Sequence, residues 1–264
     1  MNFNHVDLGG WPHVQLTREQ YAELMVQDCS RNKAEGFSCL PKLAFSMNGQ
    51  ALSLCSTSDE FHSAMLKADY IQADGQSLVI ASRMLDSKNC LPERIATTDF
   101  FHDAAEVAIA KKLKFYFLGA SEEMINAAMA NVEKAYPELN VVGYRNGYFD
   151  IDDEEEICKA IVDSGADVLW VGLGKPKEQL FCIRNHEHLM GVSWIKTCGG
   201  LFDFIGGRNK RAPQWVQDVG LEWAHRTLSD PRRFLWRYLT TNLHTIYLLL
   251  KNKKRSYQTG TNNE

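Results

Sequence analysis

The segment D-V-L-W-V-G-L-G-K-P-K-E-Q, residues 167–179, reads as a strand that ends on glycine and turns at once into a helix. Its short apolar run suits a central strand covered on both faces. Residues 114–121, K-F-Y-F-L-G-A-S, repeat the design, with a serine placed to cap the helix that follows. Working outward, segments 43–45, 68–72, 140–143 and 192–197 are further candidate strands. Helical patterns fill the spaces between them at 17–29, 59–67, 77–85, 98–112, 121–135, 152–164 and 177–189. Strands alternating with helices predict an α/β fold on a mostly parallel, doubly wound, Rossmann-like sheet.

After residue 197 that rhythm stops. Residues 199–213 are rich in glycine and charge and end in R-A-P, and two helical patterns follow at 213–228 and 231–250. The expected organisation is an α/β catalytic domain over 1–207, with possible lobes 1–112 and 113–207. A basic helical, membrane-proximal appendage over 208–255 and a disordered tail over 256–264 complete it. The chain's 264 residues suffice for such a core.

The net charge of −4 hides an asymmetry. Residues 208–255 carry 11 Lys/Arg against three Asp/Glu, so the rest of the chain is strongly acidic. A basic block on an acidic body points to an anionic partner: phosphate, anionic lipid or nucleic acid. No stretch approaches the apolar run of a transmembrane helix; the most apolar short segment, 246–250, is far too brief. The opening M-N-F-N-H-V-D-L-G-G-W has neither the basic nor the apolar region of a signal peptide. Seven cysteines, an odd number with no C-x-x-C, read as scattered thiols of a reducing compartment.

In an open parallel sheet, ligands bind beyond the carboxyl ends of the strands, so the residues there are the candidate site. Asp74 and Gly75, followed by Gln76, come straight after the strand Y-I-Q-A. Asp74 reads either as a turn residue capping a helix or as a general base for an acceptor hydroxyl. Gly119, leading into Ala120 and Ser121, makes either a tight turn or a nucleotide crevice; without G-x-G-x-x-G, a dinucleotide is not expected. Gly174, Lys175 and Pro176 lack the G-K-[ST] of a P-loop, but two glycines and two lysines at a strand end would suit a diphosphate. Gly199 and Gly200 would let backbone approach a ligand, and Asp203 could hold a sugar hydroxyl or serve only as a loop cap. Arg226, Arg232, Arg233 and Arg237 offer guanidinium forks that match phosphate oxygens, or else a solvated basic face. Asp150-Ile151-Asp152 matches a metal-binding D-x-D but runs into an acidic helix start, and it is read as that start. No other grouping has metal-ligand spacing.

A-D-G, R-I-A-T-T-D-F-F, F-L-G-A-S, G-Y-F, V-G-L-G-K-P-K-E-Q, C-G-G-L-F-D-F-I-G-G, K-R-A-P-Q-W, G-L-E-W-A-H-R and D-P-R-R follow one another in order. Over roughly 40–240 this resembles the WecG/TagA/CpsF family of bacterial glycosyltransferases. The resemblance implies transfer of N-acetylmannosamine, its uronic acid or a hexose from a UDP donor. The acceptor would be a sugar on undecaprenyl diphosphate, the anomeric centre would invert, and no metal or other cofactor would be needed. It further implies Asp74 as base and Asn48 in the pocket, with Arg226 and Arg233, and by position Arg237, closing over the diphosphate. Matching positions place Gly75, Gln76, Arg94, Asp99, Gly119, Gly174, Lys175, Pro176, Gln179, Gly199, Gly200, Asp203 and Arg211 among the substrate-binding residues. The implied location is cytoplasmic, peripheral on the inner face of the membrane through the basic appendage, with no nucleic acid and a possible homo-oligomer. Three departures bear on donor choice: Thr97 where the family has glycine, Gln76 where the residue is usually small, and Glu178-Gln179 in reversed order. The competing readings are a nicotinamide-dependent oxidoreductase, disfavoured by the missing glycine fingerprint, and a non-catalytic membrane-surface module.

Overall fold

The computed structural model describes residues 3–209, 211–229 and 231–251, without the side chains of residues 226, 229, 231–234 and 237. The side chains of Arg226, Arg232, Arg233 and Arg237, and the tail at 256–264, therefore lie outside the described residues.

The chain opens with an antiparallel hairpin, β1 (His5–Leu8) and β2 (Trp11–Val14). Its turn, Gly9-Gly10, takes positive φ at both residues, which glycine does without steric cost. Then α1 (Arg18–Ala34) begins at a reciprocal cap between Thr17 and Gln20. The sheet follows as β3 (Lys42–Met47), α2 (Gly49–Cys55), α3 (Asp59–Met65), β4 (Tyr70–Ala73), α4 (Gln76–Leu85) and α5 (Thr97–Lys111). It continues through β5 (Lys114–Gly119), α6 (Glu122–Ala135), β6 (Asn140–Arg145), a 3-10 turn at Ile151–Asp153 and α7 (Glu154–Asp163). It ends with β7 (Val168–Gly172), α8 (Lys177–Arg184) and β8 (Trp194–Thr197). Four helices close the described chain: α9 (Leu201–Ile205), α10 (Gln214–Asp218), α11 (Glu222–Ser229) and α12 (Pro231–Lys251).

Six strands form one parallel sheet in the order β4-β3-β8-β7-β5-β6. The fold is thus the expected Rossmann-like α/β class. Strand periodicity explains its two cores: in β7, Val168 and Trp170 pack with Tyr21, Phe100 and Phe101 of α1 and α5. Leu169 and Val171 point the other way, into the core that holds Phe61 of α3 and Phe181 of α8.

Some elements differ from the sequence expectation. The hairpin, α2 and α9 were not expected, because each is too short to show a period. The helix expected over 177–189 stops at Arg184, where Asn185 donates from Nδ2 to the Phe181 carbonyl (3.0 Å) and to Glu154 (2.6 Å). The helix expected over 213–228 is two helices, broken where Gly220 takes a φ of +77°.

Candidate active site

The carboxyl ends of β3, β4, β7 and β8 open onto a cavity of about 1080 Å³. Non-local pairing assembles it: β3 lies between β4 and β8, so Asn48, Asp74 and Gly199 meet although 151 positions separate the first from the last. Asp74 stands on the floor. Its Oδ1 accepts from the Thr97 amide (2.8 Å) and its Oδ2 from Asn48 Nδ2 (3.4 Å). Asn48 is held in turn as the cap of α2, its Oδ1 accepting from the Ala51 amide (3.1 Å). Burial pushes the Asp74 carboxyl up, but the Lys175 charge, the Thr97 hydrogen bond and the charges of Lys196 and Arg94 together hold it below the usual carboxylate range. Asp74 is therefore ionised at neutral pH and can accept a proton.

Lys175 lines the cavity and has no hydrogen-bond or ion-pair partner among the described residues. Such an ammonium is free to meet an anion. Gly174, Gly199 and Gly200 form the adjoining wall. Two of these loops are braced from behind: the buried Glu178 carboxylate accepts at Oε2 from the amides of Gly199 (2.9 Å) and Gly174 (3.2 Å). Its Oε1 accepts from Gln179 Nε2 (3.2 Å). Neither member of the reversed pair lines the cavity; Glu178 shapes the wall that a ligand would touch.

The structure brings Asn48, Asp74, Gly75, Gln76, Arg94, Gly174, Lys175, Gly199, Gly200 and Asp203 into the cavity lining. Gln76 reaches the Asp218 carbonyl (3.4 Å), and Asp203 faces Arg208 at 3.9 Å. Asp99, Gly119, Pro176, Gln179 and Arg211 do not line it. Gly119 is glycine for packing: a Cβ there would lie 2.3 Å from the Gly172 carbonyl oxygen. Arg94, Asp99 and Arg211 are engaged with one another and with the C-terminal helices. Arg94 donates to Glu222 Oε2 (3.0 Å), Gln217 Oε1 (2.9 Å) and Asp99 Oδ2 (3.3 Å), while Arg211 donates to Asp99 Oδ1 (2.6 Å) and also bonds Thr98 and Gln217. Burial pushes Asp99 up, and the hydrogen bond and charge of Arg211 more than offset it, so its carboxyl sits below the usual range. This network docks α10 and α11 against the start of α5. Asp150 and Asp152 belong to the turn that leads into α7, where the Asp150 amide donates to Asp153 (3.3 Å), and they do not line the cavity.

Sequence reasoning passed over three features. Ser46 lines the floor beside Thr97, the residue already marked as a departure, with Oγ and Oγ1 3.0 Å apart. Lys196, fully buried, lies beneath them, and a lysine inside the apolar strand W-I-K-T was the available signal. The third is an apolar wall at the mouth, where Ile80 and Met84 of α4 face Leu239, Leu243 and Ile246 of α12. α12 is anchored through buried Leu248 and Leu249, through Thr245 Oγ1 donating to the Gly49 carbonyl (2.7 Å), and through His244 Nδ1 at 2.9 Å from Ser53 Oγ. Among the described residues, no helix is long and apolar enough to cross a membrane.

An open α/β sheet with an ionised carboxylate and a lysine in one cavity at its strand ends has the form of a ligand-binding crevice. The chain belongs to the glycosyl transferase WecG/TagA/CpsF family, whose model matches residues 6–259. It is 32% identical to the N-acetylglucosaminyldiphosphoundecaprenol N-acetyl-beta-D-mannosaminyltransferase of Bacillus subtilis (strain 168), over 75% of this chain and 76% of that protein. The enzyme of the same name from Staphylococcus aureus (strain MW2) is 30% identical over 70% of this chain and 71% of its own length. The protein is a glycosyltransferase.

Proposed function

We propose that this glycosyltransferase moves N-acetylmannosamine, or a related hexose, from a UDP donor to a sugar carried on undecaprenyl diphosphate, with inversion and without a metal. The observation that carries the reading is the Asp74 carboxylate. It is ionised, gripped by Thr97 and Asn48, and set on the cavity floor with Lys175 among the charges that act on it. Asp74 would take the proton of the acceptor hydroxyl as that oxygen attacks the anomeric carbon. The bond to the diphosphate oxygen breaks on the opposite side, and the leaving group's negative charge is met by Lys175 and, on the reading of the sequence, by Arg226, Arg233 and Arg237.

The division of the cavity supports a lipid-linked acceptor. Its floor is polar and charged, whereas its mouth is apolar and exposed along α12. A molecule with a sugar-diphosphate head and a hydrocarbon chain is chemically matched to both. The same exposed face would seat the enzyme on the inner leaflet as a peripheral protein.

The test is a transfer assay with UDP-N-acetylmannosamine and N-acetylglucosaminyl-diphosphoundecaprenol in detergent, with a chelator present. The expected product is the disaccharide lipid, with the anomeric configuration opposite to that of the donor by NMR. Absence of transfer from every UDP-sugar tried, from protein that retains its C-terminal helices, would overturn the reading.

A further inference from the structure

Lys196 is a charged side chain with no surface. It lies in β8 between Ile195 and Thr197, two residues on from Trp194 and on the same face of the sheet. Burying an ammonium is costly unless an opposite charge compensates it. Its hydrogen-bond partners are all neutral. Nζ donates to Ser46 Oγ (2.8 Å) and to the Thr197 carbonyl (2.8 Å). The Gln72 amide, turned so that its nitrogen donates to the Phe45 carbonyl (2.7 Å), presents its oxygen to Nζ at 2.6 Å. The compensating anion must therefore act through space.

The groups facing Lys196 single it out. Asp74 at the end of β4 contributes the largest favourable charge and Glu178 of α8 a smaller one, while Lys175 opposes; the Cys198 thiol beyond β8, pushed up by burial, stays neutral. Gln72 of β4, Ser46 of β3 and Tyr21 of α1 are neutral members of the same cluster. On the other side, Asp74 feels Lys175 first, then the Thr97 hydrogen bond, then Lys196 and Arg94. A bonded path runs in parallel with the charge: Lys196 Nζ to Ser46 Oγ, Ser46 Oγ to Thr97 Oγ1, and the Thr97 amide to Asp74 Oδ1.

We propose that Lys196 is a positioning residue for the proposed base: its ammonium, sealed beneath the cavity floor, adds to the groups that keep Asp74 ionised, and its bond to Ser46 braces the Thr97 turn that grips that carboxylate. The inference rests on the reading of Asp74 as the base, but the coupling itself is a property of the protein without substrate. Burial is the main cause that brings the Lys196 ammonium down, to about 8, with Asp74 the largest influence holding it up. Linkage makes the coupling reciprocal, so removing either charge must move the titration of the other by the same amount.

The experiment uses the full chain labelled with 13C at lysine Cε and aspartate Cγ and titrated by NMR, without substrate. One lysine should titrate near 8 in the unmodified protein. In Asp74→Asn, which keeps the shape of the side chain, that lysine should move down by about 0.5–1 pH unit, and in Lys196→Gln the Asp74 signal should move up by a similar amount. Should Lys196→Gln not fold, the lysine titration in Asp74→Asn decides alone. An unmoved lysine would overturn the coupling, whatever the enzyme transfers. In the transfer assay, Lys196→Gln should shift the acid limb of kcat/KM upward by the same interval while KM for the UDP-sugar changes less than twofold. A lower rate with an unshifted acid limb would assign Lys196 a packing role only. Coupling by NMR without any transfer would leave the link between Lys196 and Asp74 standing and remove the functional reading.

Discussion

The floor and the mouth of the cavity are built in opposite ways. On the floor, polar groups at strand ends and helix starts hold one another: Asn48 and Thr97 grip Asp74, and Glu178 ties two glycine loops together. At the mouth, an apolar wall is contributed by helices, and α12 is docked to α2 through one end while Leu239, Leu243 and Ile246 remain exposed. A parallel sheet gives reacting groups a rigid frame, because each strand end is set by ladder hydrogen bonds, on both sides for β3, β7 and β8 and on one side for the edge strand β4. A helix laid over the rim presents area instead, which suits a long chain better than a small polar group. On the proposed reading, the sheet carries the chemistry and the helices capture the acceptor.

The strongest way to break that division is Asp74→Asn. It should lower turnover by about 10²- to 10⁴-fold and leave stabilisation by UDP in thermal unfolding nearly unchanged; equal loss of both would make Asp74 a structural residue. Next comes the wall. Leu243→Glu, at an exposed position, should raise KM about tenfold for an acceptor with a long prenyl chain and leave a short-chain analogue unaffected. Equal effects on the two acceptors would put the hydrocarbon elsewhere.

Smaller effects probe how the two regions are joined. Arg94→Met removes hydrogen bonds to Glu222, Gln217 and Asp99 and should cost about 2 kcal/mol in urea unfolding, with loss of order first in α10 and α11 by hydrogen exchange. The same junction has an acid limit. Because the Asp99 carboxyl is held below its usual range, its contribution is full above about pH 4 and disappears as pH falls through the folded value. Thr245→Val, which removes one hydrogen bond between α12 and Gly49, should cost about 1 kcal/mol and raise acceptor KM slightly, read by thermal unfolding and the same assay.

The alternation of strand and helix, the glycines at strand ends and the D-G dipeptide were legible because each is a local pattern. So was the family, through the ordered motifs from A-D-G to D-P-R-R. The fate of Arg94, Asp99 and Arg211 was not legible. Sequence order marks them as a set, but only the fold shows that they hold one another and the C-terminal helices, with Arg94 at the cavity wall and Asp99 and Arg211 behind it. Glu178 was noticed for its place in a motif, yet its work on two backbone amides depends on loops 25 residues apart. The short hairpin and α2 escaped because four to seven residues carry too little periodicity to be read.

The sequence by itself determined the α/β class, the family and the carboxylate at the end of the fourth strand, since hydrophobic period and turn chemistry act over neighbouring residues. The order of the strands, the burial of Lys196 beneath Asp74 and the apolar wall laid by α12 were decided only in the tertiary structure. Each depends on which distant segments pair and pack, and the free energy of that choice belongs to the assembled sheet rather than to any stretch of chain.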